Sequence, residues 1–213
     1  MDLRVALQTY RSLESTDLEN AAARDDLRRS IRPWLAVVAV LAAAAFELRR
    51  QGRLWFCACG QFRLWLGDAW GSETSQQLFD PYSLTHVLHG FAFCGLLALL
   101  LPRAGWRWRL ALAVAAEALW EIVENTEFVI NRYRETTAAL GYNGDTIVNS
   151  LGDVLACAAG VLLARRLGPL KTLLLFALTE VVLLFWIRDS LLLNILLLVY
   201  PSEKIRAWQA AGH

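Results

Sequence analysis

Two of the chain's three histidines, His86 and His89, stand three residues apart in DPYSLTHVLHG, at the head of the apolar run FAFCGLLALLL. On a helix that spacing puts both imidazoles on one face. Downstream, LALAVAAEALWEIVENTEFVI carries Glu117, Glu121 and Glu124 at spacings of four and three, and GDTIVNSLGD carries Asp145, Asn149 and Asp153 at spacings of four. Each set is again a single helical stripe. An ionised carboxylate at bilayer depth is costly unless it is paired, protonated or bound to a cation. The three stripes therefore need one another or a ligand. Imidazole and carboxylate from neighbouring helices are what a bundle offers to Zn²⁺, Mn²⁺ or Fe²⁺. The plainer alternative is an interhelical hydrogen-bond network that holds the bundle together.

The elements that must carry these residues follow from the apolar pattern. The chain has 213 residues, 56% of them apolar, blocked into runs near 34–48, 84–101, 110–130, 147–164 and 170–187, with a shorter one at 191–200. This predicts an all-α polytopic membrane helix bundle with five or six transmembrane helices. Residues 1–33 read as a cytoplasmic charged helical segment, with a capped helix over 15–32, and 34–213 as one transmembrane bundle domain. The acidic residues Asp17, Glu19, Asp25 and Asp26 before the first run favour an uncleaved anchor over a signal peptide. Arginines cluster before the first run, at 103–109 and at 165–166 with Lys171, so the N-terminus and those loops are expected in the cytoplasm. Arg49, Arg50, Arg53 and Arg63, in the outward loop 49–83, run against that orientation. With helices alternating in this sense, His86, His89, Glu121, Glu124, Asp145, Asn149 and Asp153 fall within about 15 Å of the outer face at ~1.5 Å rise per residue, and Glu117 falls outside that layer.

Net charge is +1, so no basic field points to nucleic acid. Arg132 and Arg134 in NRYRETT lie on the outer side, where they could hold a phosphate or an anionic headgroup. Cys94 and Cys157 sit in apolar runs and read as packing residues, whereas Cys57 and Cys59 form CAC in the outer loop. That pair could bridge as a labile disulfide, or join His86 and His89 in a zinc site. Trp34, Trp106, Trp108 and Trp186 read as interfacial anchors, and Gly152, Ala156 and Gly160 as a small-residue packing face. Glu180 stands alone in its run and needs a partner; Arg188 and Asp189 could pair with each other.

The ordered series WFCACG, SQQLFDPYSLTHVLHGF, EALWEIVENTEFVINRYRETTAALGYNGDTIVNSLGD and RDSLLLNILLLVYPSEKIRAWQ resembles an uncharacterised family of bacterial inner-membrane proteins, domain of unknown function 2585, over roughly residues 50–210. The family pattern has a histidine after Ser-Gln where this chain has Gln77. A weaker likeness links Asp80 and His86, Glu121 or Glu124, Arg132, and Asp145, Asn149 and Gly152 to VanZ-like membrane proteins. Both resemblances imply a multi-pass inner-membrane protein, and neither implies an established reaction.

Two functional expectations remain. In the first, an outward-facing site acts on a lipid or lipid-linked envelope substrate. His86, His89, Asp145 and Asp153 would be ligands of a divalent metal such as zinc or manganese, Asp80, Glu121, Glu124 and Asn149 catalytic groups, and Arg132 and Arg134 the substrate-binding pair. In the second, the same residues form a structural network in a non-catalytic protein that binds or moves a small ligand or ion, or scaffolds partners.

Overall fold

The structure, a computed structural model, describes residue 27 and residues 30–139 and 141–211. The charged helix expected over 15–32 lies almost entirely outside the described residues. Among the described residues eight helices follow in order: α1 Ser30–Arg50, α2 Ser83–Leu100, α3 Trp106–Glu124, α4 Glu127–Thr136, α5 Ile147–Leu167, α6 Pro169–Trp186, α7 Leu191–Val199 and α8 Glu203–Ala210. Four of them, α1, α2, α5 and α6, are long and apolar enough to cross a membrane. α3 has the length, at 19 residues, but its arginines and glutamates lower its hydropathy. α7 has nine residues, about 13 Å, and cannot cross a ~30 Å core. Of the two expected span counts, the helices allow five.

The expected run 110–130 is not one helix. Asn125 ends α3, and its side-chain amide folds back to donate to the Glu121 carbonyl at 3.0 Å. Thr126 then caps α4, accepting from the Val129 N–H at 3.4 Å. α5 begins the same way, with the Thr146 hydroxyl accepting from the Asn149 N–H at 3.2 Å. Its next free N–H groups, on Ile147 and Val148, donate to the carbonyls of Leu54 and Trp55 at 2.8 and 3.2 Å. The loop between α1 and α2 thus supplies the acceptors that the start of a helix lacks. Gly168, at φ +76°, and Pro169 make the abrupt turn from α5 to α6.

α5 is the centre: 61% of its apolar window is buried, against 22% for α1 and 11% for α6. Ala44 of α1, Ala113 and Val114 of α3 and Val154 and Val161 of α5 form one core cluster, and Leu88 and Phe91 of α2 meet Ala164 and Leu191 in another. The outer faces present Leu170, Leu173, Leu178 and Phe185, all exposed, as lipid contact requires. At the arginine-rich end, Trp34 meets the edge of Trp106 at 6.2 Å and the Arg165 guanidinium lies 4.5 Å over the Trp106 ring.

Glu180 finds its partner at the other end of the bundle. Its carboxylate oxygens accept from the N–H groups of Leu191 and Leu192 at 3.0 and 3.2 Å and so cap α7. The expected Arg188–Asp189 pair does not form. The Arg188 guanidinium donates to the Trp208 carbonyl at 2.9 Å, and Asp189 accepts from the hydroxyl of Tyr82 and from the N–H of Ser190. Arg188 is at φ +49°, a left-handed turn that sends adjacent side chains apart.

The contact that brings α2 onto α5 is between backbones. Gly90 faces Gly160 and the Cys157 carbonyl, and Gly160 abuts the Val87 carbonyl, with no room for a side chain on either glycine. Between apolar helices in lipid such close packing is a main source of association. Gly160→Leu should therefore destabilise the protein by at least about 1–3 kcal/mol in a denaturant-unfolding measurement. Gly95→Leu, on an open face of α2, should be near neutral; equal effects would show that this contact does not set the helix spacing.

Candidate functional site

The glycine contact fixes α2 so that His86 and His89 face α3 and α5. His86 Nδ1 lies 2.5 Å from Glu117 Oε1 and 3.3 Å from Glu121 Oε1, and its Nε2 is 3.7 Å from Asp153 Oδ2. His89 Nδ1 sits between both oxygens of Glu117, at 2.9 and 3.1 Å. Glu117 is fully buried. One carboxylate thus orients both imidazoles. That is the arrangement by which carboxylates fix the tautomer of ligating histidines.

Glu121 is treated differently. It is 1% exposed, and neither of its carboxylate oxygens has a hydrogen-bond partner among the described residues. The same holds for Glu124 Oε2 and Asp153 Oδ1. Two sets of ligand atoms converge within 4.8 Å: His86, His89 and Glu117, and His86, Glu121 and Glu124. His86 belongs to both. So many buried acids around two imidazoles cannot all be ionised without a proton or cation among them.

His86, His89, Glu124, Asp145 and Asp153 line one cavity of about 970 Å³. Its walls come from α2, α3, α4, α5 and α7 and from the loops before α2 and α5. The remaining residues singled out from sequence are placed otherwise. Asp145 is clamped by Asn125, whose amide donates to Oδ2 at 2.8 Å and whose carbonyl oxygen accepts from the Asp145 N–H at 2.7 Å; Tyr142 donates to Oδ1 at 3.0 Å. Burial pushes the Asp145 carboxyl above the ordinary range despite these donors. Asp80 accepts from the N–H groups of Ser75 and Tyr82, both at 2.8 Å, and shapes the turn into α2; burial raises it as well. Asn149 donates to the Gln77 carbonyl at 2.8 Å and ties the outer loop to α5. Arg132 donates to the Leu198 carbonyl at 3.0 Å, and Arg134 to the carbonyl of Tyr142 at 2.5 Å and to Asn143. Neither arginine lines the cavity, whereas Arg53 does.

Cys57 and Cys59 are bridged to each other. They gather with Glu73, not with the histidines, so the Cys2His2 grouping does not form. Gln77 belongs to that loop cluster: its side chain accepts from the Arg63 N–H at 2.7 Å and donates to Glu73 at 2.9 Å. The departure from the family pattern at this position takes nothing from the histidine site.

Asn125 and Tyr142, which hold Asp145, are site residues that sequence reasoning missed, and Glu117 is one that it placed outside the outer layer. Glu117 was set too deep because the apolar run was counted to residue 130. Measured from the true end of α3 at Glu124 it lies seven residues in, and His89 lies six residues into α2. At ~1.5 Å per residue both are about 10 Å from the same face. The sequence signal was Asn125-Thr126, a helix stop followed by a cap.

An all-α bundle with membrane-length apolar helices and a buried imidazole–carboxylate cluster beside a large cavity is the class that fold and site define. The chain belongs to the family described as "Protein of unknown function (DUF2585)", whose pattern matches residues 48–211. It is 45% identical over 191 residues to a UPF0314 protein of Rhizobium meliloti (strain 1021), covering 89% of this chain and 97% of that one. It is 43% identical over 184 residues to a UPF0314 protein of Paracoccus denitrificans (strain Pd 1222), covering 86% and 95%, and 43% identical over 179 residues to one of Sphingopyxis alaskensis, covering 84% and 95%. No solved structure matches the chain.

The two inner glutamates should respond oppositely to neutralisation. Glu117→Gln removes the charged acceptor of two imidazoles and should cost about 1.5–3 kcal/mol. Glu121→Gln removes a carboxylate that no hydrogen bond holds among the described residues and that meets only His86, at 3.3 Å, which Glu117 already holds more closely; it should leave unfolding stability unchanged or raised. Equal losses in the two variants would mark the whole cluster as a structural network.

Proposed function

We propose that this is a multi-pass protein of the bacterial inner membrane whose His86, Glu121 and Glu124 form a divalent-cation site, and that it acts on a lipid or lipid-linked substrate held in the adjoining cavity. The observation that carries the reading is the buried Glu121 carboxylate, with no hydrogen bond to either oxygen among the described residues and one of them 3.3 Å from His86 Nδ1. Leaving an acid of this kind in an apolar bundle is costly unless a ligand completes it. The donor set, imidazole nitrogen with carboxylate oxygen, suits zinc or manganese. Glu117 holds the imidazoles, and His89 and Asp153 stand beside the ion site on the cavity wall as further ligands or proton carriers.

Bound there, a divalent ion would polarise an ester or phosphoryl oxygen and acidify a water. Glu124 lines the cavity, and whichever of its oxygens the ion left free would take the proton of that water. The cavity suits an amphiphile. Leu191, Ile195 and Leu198 of α7 make an apolar wall, and the loops at 71–76 and 141–145 a polar one. Arg53 takes the place proposed from sequence for Arg132 and Arg134, being the arginine on the cavity. Asp80, Asn149 and Asp145 keep the walls in place.

The proposed orientation puts residues 1–33 and the arginine-rich end of the bundle in the cytoplasm and the cavity on the periplasmic side. Arg165 on Trp106 at one end and the cavity at the other support it.

The test is metal content and metal-linked stability of the purified full-length protein. Zinc or manganese at near-stoichiometric level, loss of thermal stability with chelator, and recovery on adding the ion are expected; saturation at a hundredfold excess over Kd would contribute about 2.7 kcal/mol. Glu121→Gln should abolish the response. A metal-free protein indifferent to chelator and to added ion would leave the non-catalytic alternative, a small-ligand or scaffold protein built on the same residues.

A further inference from the structure

Two tyrosine–carboxylate pairs stand on the walls of the cavity: the Tyr142 hydroxyl donates to Asp145 at 3.0 Å and the Tyr82 hydroxyl to Asp189 at 3.2 Å. All four side chains line the same space, together with Tyr133, Trp70, Trp120 and Phe93. One pair lies within the loop before α5, and the other joins the turn into α2 to the segment before α7. Asp153, 3% exposed and also on the wall, has an oxygen without a partner among the described residues. Against these acids the cavity lining holds one arginine, Arg53, and no lysine.

An anion alone would be repelled from such walls, and a neutral sugar would leave their charge unanswered. A positively charged nitrogen answers both features, since it is attracted to aromatic faces and to carboxylate oxygens at once. The single guanidinium fits the same picture. Arg53 donates one N–H to the Asn143 carbonyl at 2.5 Å, and its Nε is left buried without a partner, suited to an anionic group next to the cation. A divalent ion on His86, Glu121 and Glu124 would leave Asp145, Asp153 and Asp189 outside its ligand set, so ion and ammonium do not depend on the same oxygens.

We propose that the cavity recognises a head group carrying an organic ammonium beside a phosphate, so that the substrate is a zwitterionic amphiphile of the phosphocholine or phosphoethanolamine type. This names the substrate class of the site proposed above and rests on that reading for its lipid portion. The ammonium recognition stands on the walls of the cavity alone.

Calorimetric titration of the full-length protein in maltoside detergent tests it, with dihexanoylphosphocholine against dihexanoylphosphatidylglycerol, both as monomers, in the presence and absence of chelator. The phosphocholine lipid should bind at least about tenfold more tightly, as one desolvated cation–π and carboxylate contact implies. Tetramethylammonium should displace it from the wild-type protein. Asp189→Asn, outside the proposed ion's ligand set, should reduce the phosphocholine preference about tenfold and leave phosphatidylglycerol binding unchanged. Glycerophosphocholine, which lacks the tails, should bind more weakly than the lipid. Equal affinity for the two lipids, or no displacement by tetramethylammonium, overturns the proposal even if metal is found. Preference for phosphocholine that persists with chelator in a metal-free protein would uphold it while the metal reading falls.

Discussion

A carboxylate carried into an apolar bundle has to be met by donors or a cation, and Glu117 is where this chain meets that demand most fully. Its two oxygens hold His86 and His89 at 2.5 to 3.1 Å. The arrangement exists only because α2 lies close against α5, and that closeness depends on the facing glycines 90 and 160. A side chain on either would move the imidazoles away from α3 and leave Glu117 buried and bare, at a cost of several kcal/mol. Packing and electrostatics are therefore one constraint here: the tight contact supplies the donors, and the donors make the buried acid tolerable.

The same demand is met in different ways around it. Glu180 meets it with the free N–H groups at the start of α7, and a helix too short to span becomes anchored in the bundle. Asp189, whose carboxyl burial pushes up to about 7, meets it with the Tyr82 hydroxyl and the Ser190 N–H. Asp145 is held by Asn125 and Tyr142. Burial, and after it the neighbouring carboxylates, holds the phenols of Tyr82, Tyr133 and Tyr142 well above their ordinary range, so they remain donors. Glu121 departs furthest, buried to 1% exposure with neither oxygen hydrogen-bonded among the described residues and only His86 near, at 3.3 Å; Glu124 and Asp153 each keep one oxygen in the same state. Acids left so beside others that are fully met are the reason to read the cluster as a site.

Much of this was legible in the residues. Spacings of three and four placed His86 with His89 and Glu117 with Glu121 on single faces, because helical periodicity is local and needs no knowledge of neighbours. The small-residue face at Gly152 and Gly160 was visible for the same reason. Depth was read less well. Taking 110–130 as one run hid the stop at Asn125 and put Glu117 out of reach of the histidines it binds. The backbone partners of polar side chains were not legible at all: Arg132 and Arg134 on α4, and Arg188 and Asp80 on turns, each bond backbone groups whose position no periodicity encodes. Gln77 shows the limit from the other side, since its place in the motif suggested the histidine site and the fold assigns it to the cysteine loop.

The central claim, that the unanswered acids beside His86 await a cation, is tested most directly by anomalous scattering. Crystals of the full-length protein grown with zinc and measured on both sides of the zinc absorption edge should show a single strong difference peak about 2.0–2.2 Å from Glu121 and Glu124 oxygens and a His86 nitrogen. Well-ordered side chains in the arrangement described, with no anomalous peak between them at saturating zinc, would contradict it.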